Sequence, residues 1–399
     1  MKYIIILGDG MADEPIAQLE EQTPLEAAVT PYMDKMAKSS EIGLACMVPK
    51  EMAPGSDTAN LSVMGYDPNR YYSGRSPLEA LSIGVDMKPE DVSFRCNLVT
   101  ISEEESAYEE KHILDHSSGE ISSQDAAILL EALKKGLEQE GYHFYPGTSY
   151  RHLLIWEHGK VVDLTPPHDI LTRRIGAYLP EDQVLREMMK KSYDILNEHP
   201  LNVQRAKDGL NKANSAWFWG AGTRPALTSF EKKTGKKGVM VSAVDLLKGI
   251  AVGAGMTNLS VEGANGGLHT NYEGKAQAAL DALLKDGYDF AYIHIEAPDE
   301  MGHQGKVEDK MTAISLIDEK VLGKVWEGLE KAGESFRILL LPDHPTPIRI
   351  RTHTKEPVPY LLYDSTHPVD GANVYCERTA WESQNRYEEG FLLIDRLLK

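Results

Sequence analysis

Four short apolar runs stop abruptly at polar residues: Tyr3 to Leu7 before Gly8-Asp9, Gly238 to Val241 before Ser242, Phe290 to Ile295 before Glu296, and Ile338 to Leu341 before Pro342-Asp343-His344. A strand that reads as a continuous apolar run, without alternation, is covered on both faces, as in a parallel sheet. Sites in such sheets form at the carboxyl ends of the strands, where these runs place their acids and histidines. Helical patterns lie between them, at Thr30 to Ser39, Ser242 to Val252, Asn271 to Lys285 and Glu308 to Ala332. The alternation predicts an α/β core with a mostly parallel central sheet flanked by helices.

The middle of the chain reads differently. Between Asn69 and Gly235 lie the acidic run Glu103-Glu104-Glu105, a helical pattern from Ser123 to Glu138, a β-rich stretch from Tyr150 to Val162, the turn Pro166-Pro167-His168-Asp169 and a second helix from Glu181 to Asn197. A chain of 399 residues exceeds what one core usually serves, so about two domains are expected. Every candidate ligand lies outside the middle segment. The simplest organisation is a discontinuous catalytic domain, residues 1–68 plus 236–399, with an α+β cap of residues 69–235 inserted into it. The Lys232 to Gly238 tract is its re-entry linker, and hinges near Asn69 and Gly235 let the cap close.

The acids and histidines define a metal chemistry. Asp299 and His303 are four residues apart, so on a helix they share one face and can grip one ion. Asp343-His344 and His353 follow another apolar run, and Asp9 stands between glycines at the end of the first. Mixed carboxylate and imidazole donors suit Mn²⁺, or Zn²⁺, better than Mg²⁺. Two such ions about 4 Å apart hold an attacking oxygen in line with a transferring phosphoryl group. Ser56, in Pro54-Gly55-Ser56-Asp57-Thr58, precedes a helix expected over Asp57 to Met64. It is either an N-cap or a nucleophile made reactive by metal, and the ligand set favours the second. Gly8-Asp9-Gly10 lacks the dinucleotide-binding spacing, and Gly263-Ala264-Asn265-Gly266-Gly267 lacks the lysine ending of a phosphate loop. Lys275 is a phosphate contact or an exposed helix residue.

A net charge of −19 argues against nucleic acid or an anionic membrane as the main partner, but metals and a few arginines can still receive a small phosphorylated substrate. Cys46, Cys96 and Cys376 are unpaired by spacing, which suits a reducing, cytoplasmic setting. Tyr3 to Leu7 is too short for a signal-peptide core, and no stretch is long enough to span a membrane. Oligomeric state is not legible here.

Ile6-Leu7-Gly8-Asp9-Gly10-Met11-Ala12-Asp13, Thr23-Pro24-Leu25-Glu26-Ala27-Ala28, Pro54 to Leu61, Met64-Gly65-Tyr66-Asp67-Pro68, Gly74 to Ala80, Arg95-Cys96-Asn97-Leu98, Ser242 to Ile250 and Glu296 to Glu300 occur in this order. Nearly the whole chain thereby resembles the archaeal-type, cofactor-independent phosphoglycerate mutases of the alkaline phosphatase superfamily. The resemblance implies an alkaline-phosphatase-like three-layer core and two divalent ions. One ion would be held by Asp9, Ser56, Asp343 and His344, the other by Asp299, His303 and His353. It also implies transfer through phosphoserine at Ser56 without 2,3-bisphosphoglycerate, a catalytic role for Lys275 and Asp115, and substrate contacts from Arg95, Asn97, Arg151, His152 and Arg224. Departures fall in the cap: Asp115-His116-Ser117-Ser118-Gly119-Glu120 puts Glu120 where a basic residue is expected, and Leu164 to Asp169 replaces a more acidic pattern. A mutase-related subgroup proposed as homoserine kinases is similar at Asp115 to Gly119 and His269 to Lys275, which makes a homoserine kinase-like phosphotransferase the alternative. A phosphomonoesterase, or a metal-binding module without catalysis, would waste the cap or the nucleophile.

Overall fold

The computed structural model describes residues 1–399, in two compact units: Met1–Tyr72 with Leu227–Lys399, and Ser73–Ala226. The divisions fall after Tyr72 and Ala226 rather than after 68 and 235. Side chains near both crossings explain the difference. The short helix Pro68–Tyr71 lays Tyr71 edge-on against Tyr66, with ring centroids 5.4 Å apart, and Tyr66 donates to the Thr228 carbonyl at 2.7 Å. Phe230, fully buried, packs on Phe290 with centroids 4.6 Å apart, which draws the supposed linker into the first unit.

Strands β1 (Lys2–Gly8) and β2 (Ser40–Ala45) precede the inserted unit, which contributes β3 (Val92–Ile101), β4 (Ile113–Asp115), β5 (Tyr142–Tyr145), β6 (Arg151–Trp156) and β7 (Ser215–Thr223). After it come β8 (Gly238–Val241), β9 (Thr257–Asn258), β10 (Phe290–Ile295), β11 (Phe336–Leu341), β12 (Val358–Asp364) and β13 (Arg386–Tyr387). The helices that matter below are α1 (Pro31–Ala37), α2 (Ser56–Val63), α3 (Arg75–Ser82), α4 (Ser123–Leu137), α5 (Gln183–Leu196), α6 (Asp245–Gly253), α7 (Tyr272–Leu284), α8 (Ala297–Gln304), α9 (Val307–Leu316) and α10 (Lys324–Lys331).

In the first unit eight strands form one sheet in the order β13-β2-β12-β11-β1-β10-β8-β9, and β12 alone pairs antiparallel to its neighbours. The register aligns the carboxyl ends: Leu7 pairs with Leu341, Gly8 with Ile295, and Ile293 with Val241. Asp9, Asp343, Glu296 and Ser242 therefore leave the sheet along one edge. Ile4, Ile5, Ile6 and Leu7 are fully buried because helices cover both faces, and truncating Ile4 or Ile6 to Ala costs roughly 2–5 kcal/mol.

Two helices differ from their sequence expectations. The helix expected from Ser242 starts at Asp245, because the Ser242 hydroxyl accepts the Val244 N–H at 3.0 Å and turns toward His294. The helix expected over 308–332 is broken by a π-helical segment at Ile317–Gly323. That widened turn directs Asp318, wholly buried, at the start of α1, where it accepts from the N–H groups of Tyr32 and Met33 at 3.1 and 2.6 Å. No helix of the chain is long and apolar enough to cross a membrane.

The inserted unit is a five-stranded antiparallel sheet, with β3 pairing β4, β6 and β7. Its main core gathers Phe94, Cys96, Leu154 and Phe218 with Leu129 and Leu133 of α4 and Leu185 and Met189 of α5. On the other face Leu153 and Ile155 pack with Ala80 of α3.

Candidate active site

The aligned strand ends bring together what the sequence keeps up to 344 positions apart. Asp9 follows β1, Asp343 and His344 follow β11, Asp299 and His303 lie one turn apart on α8, and His353 closes the loop after β11. Asp9, Asp299 and Asp343 are nearly or wholly buried. His303 Nε2 lies 3.2 Å from Asp299 Oδ2, His353 Nε2 lies 3.4 Å from Asp299 Oδ1, and the His344 and His353 rings tilt together with centroids 4.0 Å apart. Gly10 lets the chain through: its φ is +59°, and a Cβ there would sit 2.6 Å from Asp299 Oδ1.

Ser56 opens α2, one residue earlier than the sequence suggests, and its side chain makes no capping bond. Its Oγ lies 3.1 Å from His344 Nε2, so the hydroxyl points into the cluster and not along its own helix. Asn60, one turn on, ties the helix to the sheet edge by donating to the Ser56 carbonyl at 2.9 Å and to Asp343 Oδ2 at 2.8 Å.

The electrostatics call for cations. Burial, then the carboxylates of Asp343, Asp299 and Glu296, raises the Asp9 carboxyl well above its ordinary value, and Asp9 Oδ1 has no hydrogen-bond partner. Burial works to raise Asp299 too, yet hydrogen bonds from His303 and His353 outweigh it and hold that carboxylate well below the ordinary range. The same contact pushes His303 up to about 9, whereas burial holds His344 below its usual value. Two donor sets have all their ligand atoms within 4.8 Å of one another: Asp9, Asp343 and His344, and Asp299, His344 and His353. Buried carboxylates sharing imidazoles, one oxygen lacking any donor, fit divalent ions of the Mn²⁺ or Zn²⁺ kind. His344 stands between the two sets, where the family resemblance assigns it to the first alone.

Further residues of the cluster were not singled out from sequence. His294, the polar residue in the run Phe-Ala-Tyr-Ile-His-Ile, places Nε2 2.8 Å from Asp9 Oδ2 and Nδ1 3.1 Å from Ser242 Oγ. Its break in an apolar strand was the available signal. Thr346 donates to Asp299 Oδ1 at 2.5 Å. Lys275, on α7, is completely buried, donates to the His294 carbonyl at 3.0 Å and is held down to about 8 by burial. It is not the exposed helix residue that its position alone allowed.

The inserted unit holds the remaining expected residues. Arg95, Asn97 and Arg151 share one face of the sheet, since Asn97 pairs with Arg151 and Arg95 with Trp219. Arg95 also pairs with Glu79 at 2.9 Å and lies over the Trp219 ring at 4.4 Å. His152 lies on the opposite face from Arg95, Asn97 and Arg151. It pairs with Cys96, one residue out of phase with Arg151, so alternation turns it to the helix-backed core. There it is 2% exposed, accepts the Gly147 N–H through Nδ1 at 3.1 Å, and is held down to about 4 by burial. Arg224 is exposed and donates to the Met87 carbonyl at 2.9 Å. Burial would raise the Asp115 carboxyl, but bonds from Ser117, Asn211 and Gly119 prevail and hold it below its ordinary value. These four bonds tie the carboxylate to its own loop and to Asn211. That loop carries His116, whose ring lies 6.0 Å from His168, itself 5.3 Å from Trp219. Neither imidazole was singled out.

A family model described as 2,3-bisphosphoglycerate-independent phosphoglycerate mutase matches residues 37–202. A protein of that name from Methanosarcina mazei is 48% identical over 95% of both chains, and one named a probable such mutase from Geobacter sulfurreducens is 46% identical over 100% of both. The chain belongs to the 2,3-bisphosphoglycerate-independent phosphoglycerate mutase family. Among solved structures, a protein of Pyrococcus horikoshii matches with a TM-score of 0.83 at 28% identity, covering 100% of this chain and 98% of that one. A cofactor-independent phosphoglycerate mutase from Thermoplasma acidophilum matches at 0.67 and 26%, covering 100% and 99%. Family membership extends over both units, so the strand-end cluster and the inserted sheet belong to one inherited architecture.

Proposed function

We propose that the chain is an isomerase that interconverts 3-phosphoglycerate and 2-phosphoglycerate through a phosphoserine at Ser56. The observation that carries the reading is the Ser56 hydroxyl, free of its helix and directed at His344 among three buried carboxylates. Ser56 Oγ attacks phosphorus: the Oγ–P bond forms, the substrate's ester O–P bond breaks, and the departing oxygen takes a proton to become a hydroxyl. The glycerate then presents its other hydroxyl, which attacks the phosphoserine and restores Ser56. Asp9, Ser56, Asp343 and His344 would hold one divalent ion, and Asp299, His303 and His353 the other, with Mn²⁺ favoured over Zn²⁺ or Mg²⁺. Bound ions supply the positive charge that makes a serine hydroxyl easier to deprotonate and offsets charge on the phosphoryl oxygens.

His294 and Asn60 orient Asp9 and Asp343 through their hydrogen bonds. Lys275 holds its ammonium behind the end of β10 and offers a proton or a positive charge to the departing oxygen. On the inserted sheet, Arg95, Asn97 and Arg151 are the proposed substrate-binding residues, since a planar guanidinium pairs with a carboxylate or a phosphate. Asp115 keeps His116 in place beside them, and His152 is left as a core residue. A coupled enolase assay with 3-phosphoglycerate and Mn²⁺ tests the reading, and turnover is expected without added 2,3-bisphosphoglycerate. Phosphohomoserine formed from homoserine and ATP, with no turnover of 3-phosphoglycerate, would assign the site to a kinase.

A further inference from the structure

Behind the cluster lies an ion pair that the reaction does not use. Lys310, on α9, is completely buried, and its Nζ donates to Asp13 Oδ2 at 2.7 Å, to the Thr346 carbonyl at 3.0 Å and to the Ala12 carbonyl at 3.4 Å. An ammonium has three protons to donate, and here three acceptors receive them. Asp13 in turn accepts the N–H of Glu14 at 2.8 Å and that of Ile348 at 3.2 Å. The two partners thus bridge two separate segments, Asp9 to Asp13 after β1 and Asp343 to Ile348 after β11.

Other contacts show what the bridge aligns. The Thr346 N–H donates to the Ala12 carbonyl at 3.2 Å, and both Met11 and Ala12 bridge to Pro345. The Thr346 side chain bonds Asp299 at 2.5 Å and lies 3.3 Å from His344 Nδ1. Tolerances are tight, since a Cβ on Gly302 would sit 2.6 Å from the Thr346 carbonyl. Burying a charged pair is a weak route to stability, because apolar residues of similar volume often replace such a pair without loss. A pair whose every bond lands on a ligand-bearing loop has a use that an apolar pair cannot supply.

We propose that Lys310 and Asp13 are positioning residues that lock the loops after β1 and β11 in the register that brings Asp9, Asp299, Asp343 and His344 together. The inference rests on the reading of those four as ligands, and its test separates the two. The double variant Lys310→Met/Asp13→Leu removes both charges at once, so no lone ion is left buried. Asp318→Asn, in the π-helical segment, alters another buried charge away from the cluster and serves as control.

Two readouts are taken at a temperature where parent and variants are folded by circular dichroism: amide hydrogen exchange of the metal-free proteins, and Mn²⁺ affinity by calorimetry. The double variant is expected to lose protection in residues 9–13 and 343–348 together and to bind Mn²⁺ at least about tenfold more weakly, as loss of supporting contacts around a metal typically does. The control is expected to keep parental affinity. Should the double variant not fold, the isosteric Asp13→Asn is read in the same way, with a smaller loss expected in both quantities. Parental exchange in both loops overturns the tether. Parental Mn²⁺ affinity with raised exchange overturns its effect on the ligands. A parent that binds no Mn²⁺ overturns the ligand reading instead, while the exchange pattern still decides the tether.

Discussion

The two units handle charge in opposite ways. At the strand ends of the first, buried carboxylates crowd one another, and Asp9 is pushed well above its ordinary value by burial and its acidic neighbours. On the sheet of the second, Arg75 and Arg95 share Glu79 at 3.3 and 2.9 Å, with Arg151, His116 and His168 nearby. Burial, together with His116, Arg95 and Arg75 and against the pull of Asp169, holds His168 below its ordinary value. One region crowds carboxylates against one another, and the other gathers guanidinium groups around a single carboxylate.

Removing metal should have the largest effect and act on one unit only. Chelation should reduce turnover to background and lower the thermal midpoint of the first unit, because its carboxylates are left facing one another. Readdition of Mn²⁺ to 100 times its dissociation constant should restore about 2.7 kcal/mol of stability, measured by denaturant melts. The second unit should be unmoved by metal. A melt in which both units respond equally would erase the distinction.

Next in size are the cations of the inserted sheet. Arg151→Met should raise KM for 3-phosphoglycerate by about tenfold or more with a smaller change in kcat, as loss of one charge-assisted contact implies. Arg95→Met should do the same and also destabilise the unit, because Glu79 and the Trp219 ring lose a buried partner. Steady-state kinetics decide this, and an unchanged KM in both variants would remove the sheet from substrate recognition.

The smallest effect separates His152 from its neighbours. Its pKa falls from 6.5 to about 4 on folding, so between those values the unfolded chain binds the extra proton. Its contribution to stability is complete above about pH 6.5 and is lost as the pH falls toward 4, up to roughly 3 kcal/mol. His152→Asn, which keeps an acceptor for Gly147, should flatten that slope in urea melts and leave KM unchanged. A KM that rises with this variant would return His152 to the substrate.

The sheet was legible because continuous apolar runs have one economical home, and the clustering of the acids and histidines was legible because they stand where those runs end. Asp299 and His303 could be paired by helical spacing alone. His294 was hidden inside a strand, and Thr346 and Asn60 are residue types that carry no signal until their partners are in place. The orientation of His152 was hidden for a different reason: alternation along β6 decides its face, and only the pairing with β3 reveals which face holds Arg95. The break at Ile317–Gly323 was likewise invisible, since it depends on where Asp318 meets α1.

A covalent bond at one oxygen, Ser56 Oγ, decides whether this serine is the nucleophile. Mn²⁺-loaded protein mixed with 3-phosphoglycerate, quenched in acid during turnover and digested, should yield phosphate on the peptide that contains Ser56, and Ser56→Ala should lack both that phosphate and measurable turnover while still binding Mn²⁺. Turnover of 3-phosphoglycerate by Ser56→Ala would exclude Ser56 as the nucleophile.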